Sequence, residues 1–502
     1  MTPTPTLANL LIQSQPGSPA IISPEDGFVT SYGELAEQVE RLALTLRASG
    51  LEPGQTVGIV LPNGLEYVVV FLAVTRARLI AAPFNPAYKV DEFRFYLEDS
   101  GSRVLIATSG DHPSKDAARE RNLPIWTAAR DAQKRVVLQE VSSPSTLRDL
   151  EAPDVNDTAL FLHTSGTTSR PKGVPLTHGN LMTSIRNISG HYQLSPADVG
   201  LVVMPLFHVH GLMGATLSSL WAGATLVMPS RFSAQSFWPA AQAHRVTWYS
   251  AVPTIHQILL LRAESDGAPA QPGFRFIRSC SSALAPATLA QLEARFHAPV
   301  LEAYAMTEAA HQMTSNPLPP RIHKAGSVGQ GTNVDVAIMD DAGSLLPVGT
   351  QGEVVVRGAN VTRGYHNNPE ANAQAFTNGW FRTGDRGVLD ADGYLTLIGR
   401  IKELINRGGE KISPLEIDSA LLSHSAVAEA ASYGSPDPKY GEEVHAAVVL
   451  KADASVEALL AHCRERLADF KVPKVLHLVK ELPKGPTGKV QRRHLATFFN
   501  KP

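Results

Sequence analysis

From about residue 56 the chain repeats one rhythm, an apolar strand-like run followed by a helical stretch and another apolar run. TVGIVL (56–61) precedes EYVVVFLAVTRAR, and EFRFYLEDS has helical spacing before the strand-like RVLIAT. Such alternation predicts βαβ units and a mainly parallel, doubly wound sheet. AAPFN (81–85) reads as a turn because of its proline. Between about 325 and 400 the texture changes to short runs, VDVAIMD, GEVVVRG and GYLTLIGR, separated by Gly, Asn and Asp. That section predicts a β-rich, barrel-like unit with tight turns. After GRIKELINRGGEKI a mixed pattern returns and ends in the loop LPKGPTGKVQRR. The expected fold class is therefore α/β: a large N-terminal domain of doubly wound α/β subdomains with a β-rich section, and a small α+β C-terminal domain.

Apolar residues make up 43% of the 502 and charged residues 18%, enough for a sizeable core and inconsistent with disorder. A net charge of -2, from 45 basic and 47 acidic residues, points to neither nucleic acid nor an anionic membrane as a partner. Cys280 and Cys463 are the only cysteines and form no disulfide framework, which suits a reducing compartment. MTPTPTLANLLIQSQPGSPA lacks the basic start and long apolar run of a secretory signal, and the terminal NKP is unlike a Ser-Lys-Leu peroxisomal address, so cytoplasm is the expected location. Residues 199–230 carry no Lys, Arg, Asp or Glu, but they include His208, His210, Pro205 and several glycines. A helix and strand buried in a large domain fit them better than a membrane span.

Residues 161–173, FLHTSGTTSRPKG, break an apolar run into hydroxyl and glycine residues and finish in fixed positive charge. Backbone amides and hydroxyls in such a loop can ring a phosphate, with Lys172 adding charge. The spacing is not that of a Walker A loop, and taken alone it is an ordinary solvated turn. Other short motifs follow in order: PLFHVHG (205–211), AYAMTEAAH (303–311), WFRTGD (380–385), GRIKE, RGGEKI and GPTGK. Each is weak alone, but as an ordered set spanning about 25–495 the chain resembles the adenylate-forming superfamily: AMP-forming acyl-CoA synthetases, luciferases and peptide-synthetase adenylation domains.

The resemblance implies ATP, Mg²⁺ and CoA as cofactor and co-substrates, and a small carboxylic acid as the other partner. It assigns Thr164, Ser165, Gly166, Thr167, Thr168 and Lys172 to a loop closing on the ATP phosphates. It makes Thr307 a phosphate-contacting hydroxyl and Glu308 the Mg²⁺ ligand, although Thr-Glu is also an ordinary helix start. Asp385 would accept both ribose hydroxyls and Arg400 would make a second ribose or phosphate contact; Tyr304 and the Ser281-Ser282-Ala283 turn would wall the adenine, with Glu302 and Ala303 also binding the nucleotide. His208 falls between the acyl and nucleotide sites. Lys489, otherwise a plain surface charge, would bridge the acyl carboxylate and α-phosphate from the small domain. Lys402 matches the hinge, and Gly408-Gly409 the backbone that meets pantetheine. The implied division is a large domain 1–399, a hinge 400–402 and a small domain 403–502.

PLFHVHGL, RSCSSALAP, YAMTEAAHQM and RIKELINRGGEKISP resemble most the oxalate:CoA ligases of the plant and fungal type. His208, Ser281 and His311 would then face a small dianion, where a long-chain acid needs an apolar tunnel. Malonate is the nearest rival; against it, the Ser-Ser-Ala-Leu turn offers no arginine for a farther carboxylate. A stand-alone adenylation domain loading a carrier protein, another short or medium-chain acid, and a non-catalytic nucleotide binder remain as alternatives. Oligomeric state is not legible.

Overall fold

The computed structural model describes residues 5–12, 14–141, 149–164, 171–485 and 488–499. Two large sheets dominate its first part. In one, Ser102–Ala107, Thr56–Val60, Ile80–Pro83 and Thr158–Thr164 lie side by side in parallel, and Lys172–Thr177 closes the edge antiparallel to Thr158–Thr164. In the other, Val300–Met306, Phe276–Cys280, Trp248–Ala251, Val199–Leu201 and Thr225–Val227 are parallel neighbours. The doubly wound expectation holds, with antiparallel strands only at the sheet edges.

AAPFN corrects the sequence reading, because Ile80–Pro83 is a strand and not a turn. Its small residues lie in a central parallel strand, where both faces are covered. Pro83 ends the strand opposite Ile59, and the ladder bond to the Ile59 carbonyl is donated by the next residue, Phe84, at 2.9 Å.

Helices Tyr32–Ala48, Leu65–Arg76 and His178–His191 and the segment Val209–Trp221 lie in one apolar core shared by both sheets, which joins Val57, Ile59 and Leu72 to Leu212, Met213 and Leu226. The uncharged stretch 199–230 is thus internal structure. Among the described residues no helix is long and apolar enough to cross a membrane. Leu212–Leu217 winds as a π-helix, a form that tends to occur at functional sites.

Asp335–Met339, Gly352–Arg357, Trp380–Leu389 and Leu395–Arg400 form the expected antiparallel sheet with Phe376–Thr377. One 3₁₀ turn, Ile401–Glu403, leads from it to a separate sheet made from strands between Ile405 and Val479. That last unit has its own core of Ile405, Ile417, Val444, Val448 and Leu459. It reaches back to the first part at Gly488, where a Cβ would lie 3.1 Å from Thr254 Oγ1.

Candidate active site

In parallel sheets, ligands bind beyond the carboxyl ends of the strands. Phe276–Cys280 runs into Ser281-Ser282-Ala283, Val300–Met306 into Thr307-Glu308, and Val199–Leu201 into the stretch carrying His208. Parallel strands of one sheet, with Trp248–Ala251 between the last of them and the other two, therefore deliver several predicted residues to the same edge.

Of the residues expected to meet the phosphates, Thr164 and Lys172 are paired across antiparallel strands. Ser165, Gly166, Thr167 and Thr168 lie outside the described residues. Lys172 Nζ sits 4.5 Å above the Tyr365 ring, a cation–π contact. The Tyr365 hydroxyl donates to Glu308 Oε1 at 2.8 Å, so one tyrosine braces the loop lysine and the buried carboxylate. Tyr365, in RGYHNNPE, was missed from sequence because Gly, Asn and Pro make that stretch read as a plain turn. Among the described residues no cluster of three His, Cys, Asp or Glu could hold a metal alone. One buried carboxylate beside Thr307 fits Mg²⁺, which normally takes one or two carboxylates and completes its shell with phosphate and water. Tyr365→Phe is expected to lower ATP–pyrophosphate exchange roughly 10-fold and raise the Mg²⁺ requirement, as loss of an outer partner does; a Mg²⁺ titration of the exchange rate checks it.

Of the pair expected at the ribose, Asp385 is buried and pairs with Arg400 opposite it in the register, Nε to Oδ1 at 2.9 Å. The Tyr304 hydroxyl donates to Asp385 Oδ2, so a residue expected on the adenine side touches the carboxylate expected at the ribose. Burial raises the Asp385 carboxyl, and Arg400 and Tyr304 act against that shift. Ser282 and Ala283 are exposed and Ala303 is buried in its strand. Glu302 is buried and accepts from the Gly326 amide at 3.0 Å, so its carboxylate supports the neighbouring turns.

Burial lifts the Glu302 carboxyl to about 7, with the Gly326 and Leu284 amides opposing. A carboxyl raised on folding binds its proton more tightly in the native state, so stability falls as pH climbs from about 4.5 to about 7. Glu302→Gln should remove that slope. In urea unfolding, the variant's advantage over wild type should grow between pH 5 and pH 8, by on the order of 3 kcal/mol.

Lys489, expected to reach the acyl group, lies half-buried near Cys280, Arg400 and Asp385. Burial lowers its ammonium below the usual lysine range, with Cys280 opposing and Arg400 adding to the shift. Its charge is felt at His208, His210, His311 and Asp385. Burial first and Lys489 second bring His208 to about 3, so it is neutral at working pH. His210 bonds Ser281 Oγ at 3.0 Å through Nδ1 and stacks on His311 with ring centres 5.3 Å apart. Ser281 and His311 hold left-handed backbones, φ 75° and 97°. Such strain in residues other than glycine concentrates at functional sites.

The Ser-Ser-Ala-Leu turn itself holds no arginine, but Arg278 lies in the strand just before it, fully buried, so the missing arginine no longer counts against malonate. Its guanidinium bonds His311 Nε2 and Gln312 Oε1, both at 3.0 Å, and Ser250 Oγ at 2.9 Å. The available signal was a single charge inside FIRSC, whose five positions are all buried. Lys402, Gly408 and Gly409 are exposed. A Cβ on Gly409 would meet open space, so the structure brings Lys489 near Cys280 and Asp385 and leaves the glycine hairpin exposed.

Residues 11–366 match the AMP-binding enzyme family, and residues 416–489 match the AMP-binding enzyme C-terminal domain. The chain belongs to this family of adenylate-forming enzymes. An oxalate–CoA ligase of Arabidopsis thaliana is 50% identical over 490 residues, 95% of each chain. One from Saccharomyces cerevisiae is 44% identical over 518 residues, covering 96% of this chain and 95% of the relative. Among solved structures, ATP-bound MatB of Rhodopseudomonas palustris superposes with a TM-score of 0.88 at 30% identity, covering 98% of both chains.

Proposed function

We propose that the protein is an AMP-forming oxalate:CoA ligase. The observation that carries a small dicarboxylate is Arg278, a buried cation with no carboxylate partner among the described residues, set against neutral His210 and His311; the choice of oxalate over malonate rests on the relatives. A buried charge is costly unless paired, and a small acid with a second carboxylate would supply the missing negative charge. The relatives named oxalate–CoA ligases match nearly the whole chain and support the same reading.

A carboxylate cannot expel oxide, so it is first activated. A carboxylate oxygen of the acid attacks the α-phosphorus of ATP, pyrophosphate leaves, and an acyl-adenylate forms. Lys489 bridges the two anions during this step; Lys172, Thr164, Thr307 and the loop hold the phosphates, and Asp385 with Arg400 fixes the ribose. Glu308 would hold Mg²⁺, which would supply charge neutralisation for the triphosphate. The CoA thiol then attacks the acyl carbonyl and expels AMP. Rotation of residues 403–502 about 400–402, with Lys402 at the pivot, would withdraw Lys489 and present Gly408 and Gly409 to pantetheine. Substrates of this kind are water-soluble, and we place the reaction in the cytoplasm.

The test is AMP and pyrophosphate release with ATP, Mg²⁺ and CoA across oxalate, malonate, acetate, octanoate and a cinnamate. CoA-dependent preference for oxalate is expected. Preference for octanoate or cinnamate would retain the chemistry and refute the polar pocket.

A further inference from the structure

We infer that Arg278 is a positioning residue that fixes where the protons of the acyl pocket sit, turning Ser281 and His311 into hydrogen-bond donors for a second carboxylate. This rests on the oxalate reading of the same site.

A guanidinium has five N–H groups and no acceptor. The partners of Arg278 must therefore accept: Tyr192 Oη at 2.9 Å, Ser250 Oγ at 2.9 Å, and Gln312 Oε1 and His311 Nε2 at 3.0 Å each, with the Cys280 sulfur as a further neighbour. Two chains of consequence follow.

The first concerns His311. Burial and the nearby Arg278 charge keep its ring neutral, so it carries one proton. Nε2 accepts from Arg278, which places that proton on Nδ1. Nδ1 is buried and has no partner among the described residues. Buried donors are normally satisfied, so this one is held ready for an acceptor that the fold does not supply.

The second runs through Ser250. Its oxygen accepts from Arg278, and His210 Nε2 lies 2.7 Å away to take the serine proton. His210 is also neutral, so its single proton then sits on Nδ1 and points at Ser281 Oγ, 3.0 Å away. Ser281, its acceptor role filled by His210, keeps its own hydroxyl proton free. The reverse order would leave the Ser250 proton without an acceptor and turn Ser281 toward His210 as a donor.

Both chains begin at the same guanidinium, which has no carboxylate partner among the described residues, and end in donors. A carboxylate accepts from both donors and balances the charge; a methyl or neutral end does neither. Sites built to hydrogen-bond a group reject analogues lacking it far more strongly than apolar pockets reject an extra methylene.

The experiment is ¹⁵N NMR of the full-length protein labelled at histidine, without ligands, paired with kinetics of Arg278→Met and Arg278→Lys. In wild type, His210 and His311 are expected as Nδ1-protonated tautomers. In Arg278→Met, His311 should move toward the Nε2-protonated form. Its kcat/KM for oxalate should fall roughly 100-fold or more, with a raised KM, while kcat/KM for acetate falls far less. Arg278→Lys, keeping charge without the fork, should recover part of the loss. Nε2-protonated His311 in wild type would overturn the inference even if neither variant folds, as would equal losses for oxalate and acetate in a folded Arg278→Met. If wild type ignores oxalate but shows the stated tautomers, the substrate reading fails and the proton order stands.

Discussion

Lys489→Ala is expected to slow adenylate formation by about 10²- to 10³-fold, the usual loss when a preorganised charge-stabilising group is removed from a site shielded from water. Attack of a carboxylate on a phosphate joins two anions, and Lys489 is the cation placed half-buried among His208, His210, His311 and Asp385. The second half-reaction has no such demand, because a thiol displaces AMP from a neutral carbonyl. The variant should therefore form thioester from supplied acyl-adenylate with a much smaller loss. Single-turnover assays of each step separate the two, and equal losses would remove Lys489 from its assigned role.

Gly214→Ala should be nearly as damaging although it adds one methyl group. A Cβ at Gly214 would stand 2.4 Å from His311 Nε2 and 2.7 Å from its Cδ2. His311 cannot easily retreat, since its backbone is already in the left-handed region and its ring is bonded to Arg278. The expected result is a fall of roughly 100-fold or more in kcat/KM for oxalate, because the donor geometry is lost. Overpacking should also cost about 1–3 kcal/mol of stability. His311→Ala in the Gly214→Ala background should restore most of the stability and none of the oxalate activity. Denaturant unfolding and kinetics on the double-mutant cycle check this; additive stability losses would mean that the two residues do not compete for space.

Much of this was legible in the sequence because period and order are local properties. The βαβ rhythm, the antiparallel section from 335 to 400 and the burial of 199–230 all follow from patterning. Ile80–Pro83 was misread because proline signals a turn locally, whereas its position between Thr56–Val60 and Thr158–Thr164 makes it a central strand. For the site, motif order pointed to Lys172, Glu308, Asp385, Arg400 and Lys489. Arg278 and Tyr365 escaped because what makes them informative is tertiary. Arg278 matters through burial without a carboxylate partner among the described residues, and Tyr365 through touching both Lys172 and Glu308.

The central claim is that one oxygen of the acid passes through an acyl-adenylate. Oxalate labelled with ¹⁸O, incubated with the enzyme, ATP, Mg²⁺ and CoA, tests it by mass spectrometry of the products. Attack on the α-phosphorus followed by thiol displacement leaves one ¹⁸O in AMP and none in pyrophosphate, with oxalyl-CoA formed in equal amount. Label in inorganic phosphate with ADP as the other product, or unlabelled AMP beside oxalyl-CoA, would contradict the account.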